Sequence, residues 1–160
     1  MPAMANELPE GVTVEVTDTT VSASAEVAAP AEEVFDFIRR PANHALISGD
    51  GTVRGQVAGP ERLHLGDKFG MDMKMGVPYR IRSKVVAFEE GRLIAWAHAG
   101  RHHWRWSVEP LGDGRSRVTE TFDLAPSIVK PILRLLGYPR RHSANVARSV
   151  ANVAAHFAAR

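Results

Sequence analysis

Residues 93–124 read LIAWAHAGRHHWRWSVEPLGDGRSRVTETFDL. Their apolar positions alternate with period two around two turn signals, Ala99-Gly100 and Leu111-Gly112-Asp113-Gly114. This alternation predicts three consecutive antiparallel strands. One parity collects Ile94, Trp96, His98, His102, Trp104, Trp106, Val108, Val118, Glu120, Phe122 and Leu124; the other carries Arg105, Ser107, Glu109, Arg117, Thr119, Thr121 and Asp123. The first face is the one that turns to the interior, yet it holds two histidines and a carboxylate. Buried ionisable groups are costly unless they are paired or line a cavity. The pattern therefore points to a pocket.

The flanking sequence extends the same logic. Thr20–Ala28 alternates Val21, Ala23, Ala25 and Val27 against Ser22, Ser24 and Glu26, a strand with a small-residue inner face. Pro30-Ala31-Glu32-Glu33 opens a helix, with proline suited to the first turn and acids to the positive end of the dipole. Val34, Phe35, Phe37 and Ile38 are its apolar side, and Pro41 stops it. Thr52–Ala58, Gly66–Met75 and Tyr79–Phe88 read as strands, the last with a bulge near Val86. From Ser127 the period becomes helical, interrupted at Gly137-Tyr138-Pro139. Val146, Val150, Val153 and Phe157 then form one face of a long terminal helix. The resulting class is α+β: a curved antiparallel sheet of about six to seven strands wrapped around that helix. Residues 1–16 are assigned to an N-terminal tail, although Val12, Val14 and Val16 alternate, and residues 17–160 to a single domain.

Composition narrows the function. The chain has 160 residues, no cysteine and a net charge of +2, which excludes disulfide or thiolate chemistry and argues against a nucleic-acid partner. Arg39-Arg40 and Arg140-Arg141-His142 read as solvated helix ends. No apolar run nears the roughly 18 residues of a membrane span, so stable membrane insertion is not expected and the location is read as cytoplasmic. A phosphate-binding loop and a nucleophilic serine elbow are both missing.

Three stretches carry a family resemblance: VSASAEVAAPAEEVFDFI (21–38), HHWRWSVEPLGDGRSRVTETFDL (102–124) and the terminal ANVARSVANVAAHFAAR (144–160). Together they resemble the START-like, helix-grip superfamily known as SRPBCC, which includes the birch-pollen-allergen fold and the polyketide cyclase/dehydrase group. The matching residues are turn and core residues, so they speak for fold and carry no catalytic signature. The resemblance implies a deep cavity between sheet and terminal helix that holds an apolar or amphipathic small molecule. Members include carriers, cyclases and docking subunits, and fold does not choose among them.

Parity proposes Tyr79, Ser83, His98, His102 and Glu120 as the polar groups of the cavity. Its apolar walls are Met71, Met73, Ile81, Trp96, Trp104, Trp106 and Phe122, with Val146 and Val150 contributed by the helix. Plainer roles compete: rim histidines in water, core tryptophans, and Glu120 as a structural carboxylate. The leading expectation is binding of a hydrophobic ligand, lipid or polyketide-like, without turnover. The second is a cyclase/dehydrase-type enzyme in which His98 or His102 pairs with Glu120 for acid–base work. The third is a partner-docking protein with a vestigial cavity, marked by exposed apolar residues near Leu133–Tyr138. No cofactor is called for. Nor is a metal, since the His98/His102 spacing crosses a turn rather than a helical face. Homodimerisation is left open.

Overall fold

The computed structural model describes residues 7–98, 101–127, 130–136 and 142–160. Its strands are β1 Thr13–Val16, β2 Thr20–Val27, β3 Val53–Ala58, β4 Lys68–Met75, β5 Val77–Glu89, β6 Leu93–Ala97, β7 His103–Gly112 and β8 Arg115–Asp123. The helices are α1 Ala31–Ile38, α2 His44–Ile47 (after a 3₁₀ turn, Pro41–Asn43), α3 Lys130–Leu135 and α4 Ser143–Ala158. All eight strands join one antiparallel sheet in the order β1-β2-β8-β7-β6-β5-β4-β3. The chain thus runs from one edge to the other through α1 and α2, then folds back strand by strand. The Ala99-Gly100 turn and the Gly137-Tyr138-Pro139 interruption lie outside the described residues.

Period-two patterning set this register. Trp96 pairs with Trp104, and Trp104 with Phe122; one rung along, Ile94 pairs with Trp106, and Trp106 with Glu120. The expected bulge is present, as a register shift between Val85 and Ala87 on β5. Across the inner face lies α4, whose Val146, Val150, Val153 and Phe157 are all buried. They pack mainly over β2, where Ala23 and Ala25 leave room for the helix to approach.

Three expectations need correction. The sheet has eight strands rather than six to seven. One extra is β1, inside the stretch assigned to the tail; Thr13–Val16 pairs with Val21–Ser24, so the alternating valines extend the sheet edge. Arg39 is not a solvated helix end but is only 6% exposed. Its Nε and Nη2 donate to the Leu63 carbonyl at 3.2 and 2.9 Å, and Nη1 meets Glu90 at 2.7 Å. The guanidinium also lies over the Phe35 and Phe88 rings. A long side chain with this many donors closes the end of the core that the sequence cannot show to be nearby.

Candidate functional site

Between the sheet and α4 lies a cavity of about 300 Å³. From the sheet and the connection between β6 and β7 it is lined by Val53, Phe69, Met71, Met73, Met75, Tyr79, Ile81, Ser83, Trp96, His98, His102, Trp104, Trp106 and Glu120. From the helical side come His44, Ile47, Ser48, Asp50, Thr52, His142, Asn145 and Ser149. Eleven of the fourteen proposed ligand-contacting residues line it: Met71, Met73, Tyr79, Ile81, Ser83, Trp96, His98, His102, Trp104, Trp106 and Glu120.

Phe122, Val146 and Val150 do not; all three are core residues with no exposed surface. Phe122 is covered by rings, with His142 at 4.4 Å, Trp104 at 4.8 Å and His102 at 5.0 Å between centroids. The two valines belong to the stripe of α4 that seats on the sheet, so the helix shows the cavity its polar flank, Asn145 and Ser149. An apolar stripe packs where apolar surface is already waiting, and a cavity is what such packing leaves open.

Glu120 is 6% exposed, and the neighbouring Ser149 hydroxyl favours its ionised form. The Ser149 Oγ itself accepts the Gly49 N–H at 3.2 Å, leaving its own hydrogen for the carboxyl. Burial, opposed in part by Ser149 and assisted by the nearby Asp50 charge, pushes the Glu120 carboxyl up to about 8. At neutral pH it is therefore mainly protonated. Burial likewise lowers His98, His142 and His44, the last to about 4. His102 also falls to about 4, through burial first and then the neighbouring His98, His142 and His103. The cavity thus presents an uncharged acid and uncharged imidazoles together.

Among the described residues, three buried polar atoms have no hydrogen-bond partner: Glu120 Oε2, His98 Nδ1 and His102 Nδ1. No hydrogen bond joins Glu120 to His98 or His102, so the expected His/Glu pair is not formed in the free protein. The two histidine rings instead meet edge to face, 4.8 Å apart and at 84°.

The residues that sequence patterning missed come from α2, its following loop and the start of α4. His44 donates Nε2–H to the Ile38 carbonyl at 2.8 Å and stacks on Trp96 at 4.8 Å, building one wall. Asp50 accepts from Thr52 N–H at 3.0 Å and Thr52 Oγ1 at 2.7 Å, which fixes its carboxylate in the loop. Asn152 Nδ2 pins the same loop by donating to the Ile47 carbonyl at 3.1 Å. These residues have no periodic signature because they sit in a turn and a four-residue helix.

Gly49 packs closely against α4. A Cβ placed there would lie 2.2 Å from the Asn145 carbonyl oxygen, which is backbone and cannot rotate away. Gly49→Ala is expected to lift the loop, break the Gly49–Ser149 hydrogen bond and cost ~1–3 kcal/mol. Thermal or denaturant unfolding checks this; an unchanged midpoint would show that the loop is not held as described.

The fold and cavity together define a helix-grip protein, an antiparallel sheet closed by a terminal helix around a mixed apolar and polar hollow. The chain belongs to the family described as polyketide cyclase / dehydrase and lipid transport, whose model matches residues 18–158. A relative in Mycobacterium tuberculosis (strain H37Rv), the uncharacterized protein Rv0088, is 39% identical over 155 residues, covering 92% of this chain and 69% of the relative. Among solved structures, protein Ms6760 from Mycobacterium smegmatis superimposes with a TM-score of 0.63 at 18% identity, over 91% of this chain and 99% of that one. The Zhui aromatase/cyclase from Streptomyces sp. R1128 does so with a TM-score of 0.58 at 17% identity, over 84% of this chain and 92% of that one. At such identities the structural matches establish the fold. Family membership supports a ligand-binding or cyclase-type function. No helix among the described residues is long and apolar enough to cross a membrane.

Proposed function

We propose that this protein binds an uncharged, compact, mainly apolar molecule in the cavity, with an oxygen function turned toward Glu120, His98 and His102. The observation that carries this reading is the set of three buried polar atoms on cavity-lining residues that have no partner among the described residues. A buried polar group left unsatisfied costs about 1–3 kcal/mol, so a hydroxyl or carbonyl that satisfied even two of them would gain affinity and orientation together. Aromatic and methionine walls supply the apolar contact. The volume of about 300 Å³ stands at the small end of ligand pockets and favours a ring system or a short chain over a two-chain lipid.

Native mass spectrometry of the purified protein, followed by solvent extraction, tests the reading directly. The expected result is a co-purifying neutral small molecule of aromatic, polyketide or single-chain lipid type. A reproducibly empty protein that also fails to take up hydrophobic ligands would overturn it.

A cyclase/dehydrase-type reaction is favoured by one specific feature, the coexistence of a protonated carboxyl with neutral imidazoles at neutral pH. In a dehydration, an imidazole nitrogen would take the proton from the carbon next to a carbonyl. The Glu120 carboxyl would give its proton to the departing hydroxyl, which leaves as water. The substrate itself would bring acid and base into one chain of contacts, since they are not bonded to each other beforehand.

A further inference from the structure

The hairpin joining β4 and β5 carries a charge pattern that the cavity does not need. Over residues 68–84, the side of this hairpin that points away from the cavity carries Lys68, Lys74, Arg80, Arg82 and Lys84 against a single carboxylate, Asp72. That is a local net charge of +4 on a chain whose total is +2. All five cations are exposed. Only Arg80 is paired, with Asp72 at 2.9 Å, and Lys68, Lys74, Arg82 and Lys84 have no ion-pair partner among the described residues. Such a strip exceeds what solubility requires and concentrates potential on one face.

The tip of the same hairpin is apolar. Met75 and Val77 pair across Gly76, which turns the chain with φ +74°, and the two side chains are 68% and 71% exposed. Pro78 follows, so the tip also lacks one backbone donor. Met75 and Tyr79, on either side of Val77, line the cavity and are themselves exposed, so the tip stands at the cavity rim. Two exposed aliphatic side chains beyond a row of free cations match a surface that is anionic outside and apolar beneath.

We propose that the β4–β5 hairpin docks this protein on an anionic lipid surface, with Met75 and Val77 entering the apolar boundary and the lysines facing the headgroups. In this pose the cavity rim meets the bilayer, from which an apolar molecule would pass without crossing water. A protein partner with an acidic face would satisfy the cations, but it gives no reason for the two exposed aliphatic residues to stand at the very tip.

Sedimentation with vesicles tests the surface on the full chain, using equal parts of phosphatidylcholine and phosphatidylserine against phosphatidylcholine alone. Binding is expected to the anionic vesicles only, and to weaken with added salt. Lys74→Gln combined with Lys84→Gln should weaken it about 25-fold, about 5-fold for each lysine removed from the surface. Val77→Asp should abolish it, while Glu120→Gln should bind vesicles as the wild type does. Absence of wild-type binding, equal binding to both vesicle types, or an unchanged double variant would each overturn the proposal. So would capture of an acidic protein by this face with vesicles left unbound. Sedimentation needs no occupied cavity, so an empty cavity in mass spectrometry would count against the ligand reading alone.

Discussion

Glu120→Gln is expected to stabilise the protein in neutral and alkaline solution and to remove most of its sensitivity to rising pH. The sign follows from linkage. The Glu120 carboxyl lies near 8 in the fold and near 4.5 in the unfolded chain. The folded state therefore holds a proton that the unfolded state releases, and stability falls as pH rises from about 4.5 to 8. At pH 7 this penalty is on the order of 3 kcal/mol. Glutamine keeps the shape and a hydrogen-bonding head with no ionisation. The two proteins should unfold alike near pH 4.5, diverge through neutrality, and run parallel above about pH 8.

The acid limb has the opposite sign and a different source. His44 and His102 are held near 4 in the fold, below an unfolded value of 6.5, so their neutral forms stabilise the fold above pH 6.5. That contribution is lost as pH falls from 6.5 toward 4. Wild-type stability should therefore peak near pH 6.5, whereas Glu120→Gln should rise to a plateau. Calorimetry or denaturant unfolding across pH 4–9 distinguishes the two shapes. An alkaline limb that persists unchanged in the variant would mean that Glu120 is ionised in the fold. The same variant separates the two functional readings. If the protein turns over a substrate, Glu120→Gln should abolish the rate while ligand affinity stays within a few-fold; if it only binds, affinity is all there is to change. Joint loss of stability and binding would make Glu120 a structural residue.

Phe122→Ala should be the most destabilising single change at the edge of the site, costing ~3–5 kcal/mol. Phe122 has no exposed surface and sits in a nest of rings from His102, Trp104 and His142. Its removal opens a void behind the cavity wall rather than inside the cavity. His102 and His142 would lose their backing, so ligand affinity should fall through their disorder, and Phe122→Leu should recover most of both losses. Chemical denaturation measures the effect; a loss below about 1 kcal/mol would return Phe122 to the cavity lining, where removal leaves space that a ligand can reclaim.

Much of this was legible in the sequence because period-two alternation is a one-dimensional signal. Trp96, His98, His102, Trp104, Trp106 and Glu120 were assigned to one interior face from parity, and all line the cavity. Backbone pleating forces that result for Trp96, Trp104, Trp106 and Glu120, which stand on strands, whereas His98 and His102 flank the connection between β6 and β7. The terminal helix was equally plain, since an apolar stripe at helical spacing has one use in water.

Which residues of that interior face meet the cavity, and which meet each other, was decided by tertiary structure. Phe122 shares its parity with Glu120, yet α4 and His142 close over one and leave the other beside open space. His44, Asp50 and Ser149 come from a short helix, a turn and the flank of α4, and distant chain segments had to meet before they formed a site. Their meeting also sets the ionisation: Glu120 stays protonated because sheet and helix together exclude water from it. Alternation is a property of neighbours along the chain, so the sequence determined by itself the strands, the terminal helix and the inward face. Burial, hydrogen-bond partners and charge state depend on what lies across the hollow, and only the assembled fold supplies that.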